Sequence, residues 1–192
     1  LDLDGDHITR GLALHDGKLL WICGSKLRLS HALSGDLCRE VVFDSKLAAL
    51  SVDWPSQRAA VAQFSTRVWL VDLQTGDKLH TVDIAEIDPA ARTRWIFRLV
   101  LNPSDNSVFV RAALSALWQW FPHSGKLLKL ASGTGAMPGL ASRRKQLISS
   151  AQTGVFLLDP ADGKTRVLDN TTDCSDDADV ADAISSGDLH QR

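Results

Sequence analysis

The chain has 192 residues, 44% of them apolar and 23% charged, with a net charge of −2. These values suit a globular domain or slightly more, and the near-neutral charge makes nucleic acid and anionic lipid unexpected partners. No apolar run approaches the roughly 18–20 residues of a membrane-spanning helix, and no basic segment followed by an apolar one opens the chain.

The first residue is Leu1, as expected of a piece of something longer. Leu1-Asp2-Leu3-Asp4-Gly5-Asp6 sets three carboxylates at alternate positions. A calcium loop needs further oxygen ligands downstream, whereas Ile8 to Ala13 is apolar and basic. A solvated turn leading into a strand is expected, with no metal and no cofactor.

The first unit follows: a strand from Gly11 to Leu14, a turn at His15-Asp16-Gly17, and a strand from Leu19 to Cys23. A nine-residue pattern closes it, Leu27-Arg28-Leu29-Ser30-His31-Ala32-Leu33-Ser34-Gly35. The second unit runs Ala49 to Val52, a turn at Trp54-Pro55-Ser56-Gln57, Ala59 to Phe64, then Val68-Trp69-Leu70-Val71-Asp72-Leu73-Gln74-Thr75-Gly76 and an outer strand, Lys78 to Val82. The third has Leu99 to Leu101, a turn at Asn102-Pro103-Ser104-Asp105, Val108 to Ala113 and a pattern ending on Gly125. The fourth has Gly139 to Ala141, a basic turn at Arg143-Arg144-Lys145, Leu147 to Ser150 and a pattern ending on Gly163. Proline presets the turns and glycine supplies the positive φ that ends them.

The turn glycines are 41, 49 and 38 residues apart. Short strands repeating at about 40–45 residues are the signature of a β-propeller. The strands are apolar at nearly every position, as in Val155-Phe156-Leu157-Leu158, which suits sheets covered on both faces rather than one wet face. The expected fold is all-β, a β-propeller of about four four-stranded blades. The blades fall at about 8–41, 47–83, 96–132 and 136–169 within a domain of residues 1–170. The acidic stretch 171–192, with few large apolar residues, reads as a disordered tail or linker.

These units resemble WD40 repeats. Trp69-Leu70-Val71-Asp72 looks like the Trp-Asp end of such a unit, with Val71 in the tryptophan position, and Trp120 holds that position in the third unit. Leu101-Asn102-Pro103-Ser104-Asp105 is similar to the Ser-Pro-Asp-Gly turn between the first two strands. No unit has a true Trp-Asp dipeptide or a Gly-His pair. The stretch Leu157 to Lys164 is also similar to quinoprotein-like repeats. The resemblance implies a WD40-like propeller. Four units imply part of a larger, seven-bladed ring, finished by further sequence or by a partner chain, since a half-ring leaves two apolar blade faces bare.

Cys23, Cys38 and Cys174 are scattered, without metal or disulfide spacing. They read as buried thiols in a reducing, cytoplasmic setting. The six histidines share no ligand spacing and read as surface residues. The segment from Asp83 to Phe97 accounts for the longest spacing. Asp88-Pro89-Ala90-Ala91 reads as an N-cap with proline at the first helical position, and Arg92-Thr93-Arg94-Trp95 follows. Arginine and tryptophan are enriched at interface hot spots, so Glu86, Asp88, Arg92, Arg94 and Trp95 are the candidate partner-binding residues. The competing reading packs Trp95 under the loop and pairs the arginines with Asp83, Glu86 and Asp88.

No nucleophile elbow, P-loop or dinucleotide fingerprint occurs. The expected function is therefore a non-catalytic protein-interaction scaffold within a larger assembly. A quinoprotein-like or lactonase-like enzyme would need polar groups converging on the centre, where Ser51, Asp53, Asn102 and Ser142 are available. A sensor domain of a multidomain regulator is a third reading.

Overall fold

A computed structural model of the chain describes residues 8–92, 96–112, 116–132, 140–143, 146–151, 154–158 and 165–168, with side chains described within 11–130. Four antiparallel four-stranded sheets follow one another, each a simple meander. The first blade is β1 (Ile8–His15), β2 (Lys18–Cys23), β3 (Lys26–His31) and β4 (Leu37–Val42). The second is β5 (Leu47–Asp53), β6 (Arg58–Gln63), β7 (Arg67–Asp72) and β8 (Lys78–Asp83). A short helix α1 (Ile84–Ile87) and a 3-10 turn (Pro89–Ala91) lead to the third, β9 (Ile96–Leu101), β10 (Val108–Ala112), β11 (Ala116–Phe121) and β12 (Lys126–Ser132). The fourth is β13 (Leu140–Arg143), β14 (Gln146–Ala151), β15 (Gly154–Leu158) and β16 (Thr165–Leu168).

The turn chemistry is local and repeats. Gly35, Gly76 and Gly125 have φ of 76°, 85° and 69°, a left-handed backbone that glycine adopts without steric cost. The Gly35 and Gly76 amides donate to the carbonyls of His31 and Asp72 at 2.9 and 2.8 Å. At the turns between first and second strands, Gln57 and Asn106 take the left-handed conformation themselves, with φ of 53° and 56°.

The blades pack in sequence: β1 against β5, β5 against β9, and β9 against β13. One core lies between blades 1 and 2, built from Leu20, Ile22, Leu27 and Leu29 against Val52, Ala59, Val61 and Val71. A second lies between blades 2 and 3, where Ala60, Ala62, Val68 and Leu70 meet Leu99, Val108, Val110, Trp118 and Trp120. A third lies on the far face of blade 3, with Val100, Phe109 and Leu117. Alternate residues of one strand thus enter two different cores: Ala59 and Val61 on one side of β6, Ala60 and Ala62 on the other. This is why the strands read as unbroken apolar runs. Each large side chain buried this way contributes about 1.5–3 kcal/mol.

Val71 and Trp120, the two residues in the WD40 tryptophan position, are both buried. Cys23 is buried as expected, but Cys38 is exposed. It sits on β4, the outermost strand of its blade, where a neighbouring strand cannot cover it. His31 and His123 are exposed, whereas His15 and His80 are half-buried. His15 stacks on Trp54 at 5.5 Å and His80 meets His123 edge-on at 5.2 Å. Among the described residues no helix is long and apolar enough to cross a membrane. The alternating aspartates Asp2, Asp4 and Asp6 and the tail 171–192 lie outside the described residues, as do Arg144 and Lys145.

Candidate interaction surface

The segment between β8 and β9 folds as two consecutive capped turns. Asp83 is the N-cap of α1, accepting from the Ala85 amide at 3.1 Å. It also accepts from the Thr66 hydroxyl and faces Arg67 Nη2 at 3.7 Å. Asp88 ends α1, its amide donating to the Ile84 carbonyl at 2.7 Å, and then caps the 3-10 turn by accepting from the Ala90 amide at 3.2 Å. Pro89 stands at the first position of that turn, where a missing N–H costs nothing.

Asp88 also anchors this segment to the blade that follows it. Its Oδ2 accepts from Lys129 Nζ at 2.8 Å and from the Trp118 indole N–H at 3.3 Å. Those donors stand on neighbouring strands in register, Trp118 opposite Lys129. The hydrogen bond from Lys129 is the main reason the Asp88 carboxyl is held below the usual carboxylate range. Ile84 and Ala91 are buried beneath in the core between blades 2 and 3. The described part of the segment is therefore pinned at Asp83, at Asp88 and from below.

What it leaves outward is a small mixed surface. Ile87 is 53% exposed, with Glu86 and Arg92 also exposed. Beside them runs a cleft of about 410 Å³ lined by Arg67, Trp69, Thr81, Val82, Asp83, Glu86, Ile87 and Gly125.

Of the sequence-derived candidates, Glu86 and Arg92 are exposed, Asp88 is half-buried and turned inward, and Arg94 and Trp95 lie outside the described residues. The carboxylates Asp83 and Asp88 are held by Thr66, Arg67, Trp118 and Lys129. Sequence reasoning passed over Ile87, Arg67 and Lys129. An apolar residue one place before the capping Asp88 was the available signal for Ile87. Arg67 and Lys129 are distant in the chain and carried none.

The polar residues of the innermost strands are engaged within the fold. Ser51 Oγ accepts from the Leu101 amide across the blade seam at 2.9 Å, and Asp53 accepts from the Ser56 hydroxyl. The Asn102 amide group reaches Ser107 Oγ at 3.5 Å, and its oxygen accepts from the Ser104 amide at 3.2 Å. The Ser142 side chain lies outside the described ones.

This architecture is the WD40-type β-propeller, and solved structures share it. The crystal structure of the Myceliophteria thermophila Cps50 (Swd1) β-propeller domain superposes with a TM-score of 0.67 at 12% identity, over 86% of this chain and 56% of that one. The RRP9 WD40 repeats match with a TM-score of 0.67 at 11% identity, over 86% of this chain and 52% of theirs. The structure of U3-55K gives the same TM-score and identity, over 86% of this chain and 53% of its own. At such identity the likeness concerns the fold, and the chain spans a little over half the length of each. No protein-family model matches the chain, and no curated protein matches it.

Proposed function

We propose that the protein is a non-catalytic interaction scaffold that holds a protein partner on the pinned segment between blades 2 and 3. The observation that carries this reading is Ile87, an exposed branched apolar side chain on a turn fixed by Asp83 and Asp88, beside Glu86 and a cleft edged by Arg67. A rigid protrusion loses little conformational entropy when it docks, so its contacts translate into affinity. An apolar centre with charged neighbours suits a protein surface with a complementary pocket. Arg94 and Trp95, which follow in the chain, are proposed as further partner-binding residues, and a reducing, cytoplasmic location is proposed with them.

The test is affinity capture of the tagged protein from its native, nuclease-treated lysate, alongside Ile87→Glu and Arg92→Glu variants. The expected result is a stoichiometric protein retained by the parent and lost with Ile87→Glu, while the thermal midpoint of the variant stays within about 1 °C of the parent, as surface substitutions usually do. A partner retained equally by both variants would remove the segment from the interface.

A further inference from the structure

We infer that blade 2 carries a carboxylate-binding site, built from the Trp69 indole N–H and the Lys78 ammonium, that takes an aspartate or glutamate side chain of a protein partner. This goes beyond the reading above and rests on none of Ile87, Glu86 or Arg92.

The argument comes from comparing the blades. Each of the first three sets a cation over a tryptophan. In blade 1 Arg28 lies 5.3 Å from the Trp21 ring centroid and pairs with Glu40 at 2.7 Å. In blade 3 Lys129 lies 6.0 Å from the Trp118 centroid and pairs with Asp88 at 2.8 Å. In blade 2 Lys78 lies 5.2 Å from the Trp69 centroid and 4.5 Å from that of Phe43. Its ammonium donates to the Val42 carbonyl at 2.7 Å. Among the described residues no carboxylate forms an ion pair with it.

The indole N–H groups repeat the difference. Trp118 donates to Asp88, and Trp21 to Ser30 Oγ at 3.4 Å. The Trp69 N–H is buried and has no acceptor among the described residues. A buried donor left without an acceptor is costly, so a group that supplies one gains binding energy.

Trp69 and Trp118 hold the same place in their blades. Each stands seven residues before its turn glycine, Gly76 or Gly125, and each packs toward the preceding blade. The acceptor for Trp118 comes from the connection between β8 and β9. The corresponding connection, between β4 and β5, brings Phe43, whose ring meets Trp69 edge-on at 6.0 Å. It supplies an aromatic ring where the later one supplies a carboxylate. Asp44, next along, is already engaged: its Oδ1 accepts from Gln63, and its Oδ2 faces Arg67 Nη1 at 3.4 Å. Thr81, opposite Trp69, donates its hydroxyl to the Val68 carbonyl at 3.1 Å.

A carboxylate suits these two donors as Asp88 suits its own, whose Oδ2 accepts from both an ammonium and an indole N–H. Lys78 is exposed, and its flexible stem lets the ammonium leave the Val42 carbonyl for an incoming acid. The charge-assisted bond is the stronger of the two. Trp69 also lines the cleft that holds Asp83 and Glu86. Those carboxylates disfavour a multiply charged anion such as phosphate, so a single side-chain carboxylate on a protein segment fits.

The test titrates the full protein with two capped peptides, acetyl-Gly-Glu-Gly-amide and acetyl-Gly-Gln-Gly-amide, while following the Trp69 indole N–H signal by NMR. Trp69→Phe assigns that signal, and the thermal midpoint reports that each variant folds. The expected result is a downfield shift with the glutamate peptide and none with the glutamine peptide. Binding is expected to weaken about fivefold in Lys78→Met, the upper end for a part-exposed ion pair. No shift with the glutamate peptide, an equal shift with the glutamine peptide, or equal affinity in Lys78→Met would each overturn the proposal. So would an upfield shift of the same signal, before any peptide is added, on Asp44→Asn or on replacing the aspartates of 171–192 by asparagine. Either would show that the chain supplies the carboxylate itself.

Discussion

Replacing Asp88 by alanine removes three interactions that differ in kind. Loss of the cap on the 3-10 turn costs about 0.5–2 kcal/mol. The Trp118 indole N–H, on a residue 1% exposed, loses its acceptor, at about 1–3 kcal/mol. The bond to Lys129, whose side chain is 41% exposed, adds at most about 1 kcal/mol after solvent screening. Together the cost is about 1.5–6 kcal/mol, or a fall in thermal midpoint of about 3–24 °C for a chain of this size. Asp88→Asn keeps an acceptor for the cap and loses the charge, so about 1 kcal/mol is expected.

The pH dependence separates the charge from the cap. The folded carboxyl lies below its usual range, mainly through the hydrogen bond from Lys129. Its contribution is therefore fully present above the unfolded value of about 3.9, and it is lost as pH falls through the lower folded value. Urea unfolding at pH 7, 5 and 3.5 should show the parent and Asp88→Asn equally far apart at the first two and beginning to approach each other at the third. A total loss under about 1 kcal/mol for Asp88→Ala, or full additivity with Lys129→Met in a double-mutant cycle, would refute the clamp.

Two further substitutions probe the blade seams. A Cβ added at Gly11 would stand 2.7 Å from Leu50 Cβ and 2.8 Å from Ile22 Cδ1. Leu50 Cβ is fixed to the backbone, so Gly11→Ala should cost about 1–3 kcal/mol, read as a lower urea midpoint with unchanged slope. Ser51→Ala strips the acceptor from the Leu101 amide at the seam of blades 2 and 3. A loss of about 1–3 kcal/mol is expected, together with faster hydrogen exchange at that amide. Unchanged exchange would show that the amide finds another acceptor.

Much of this organisation was legible because its causes are local. The Asn102-Pro103-Ser104-Asp105 turn is written in residues that bond their own backbone. The cap at Asp88 followed by Pro89 was readable for the same reason, and the structure places both as expected. The exposure of Cys38 was not readable, because a thiol on β4 is buried only if another element covers the outer strand. The inward turn of Asp88 was equally hidden. Its donors are 30 and 41 residues further along, and nothing near Asp88 marks them. Ile87 was overlooked since an isolated isoleucine reads as core until the surrounding elements are in place.

Strand boundaries, turns and the blade repeat follow from φ preferences, proline and the spacing of apolar runs, all settled within a few residues of chain. The sequence by itself therefore determined that the protein is built from four-stranded units. Which apolar residues are shared between blades is a property of register and stacking. Leu12, Leu50 and Leu99 hold the same register position in their own sheets, yet Leu12 is open while Leu99 is buried. Only the tertiary structure decided that difference, because burial depends on the blade that stands in front and not on the residue itself.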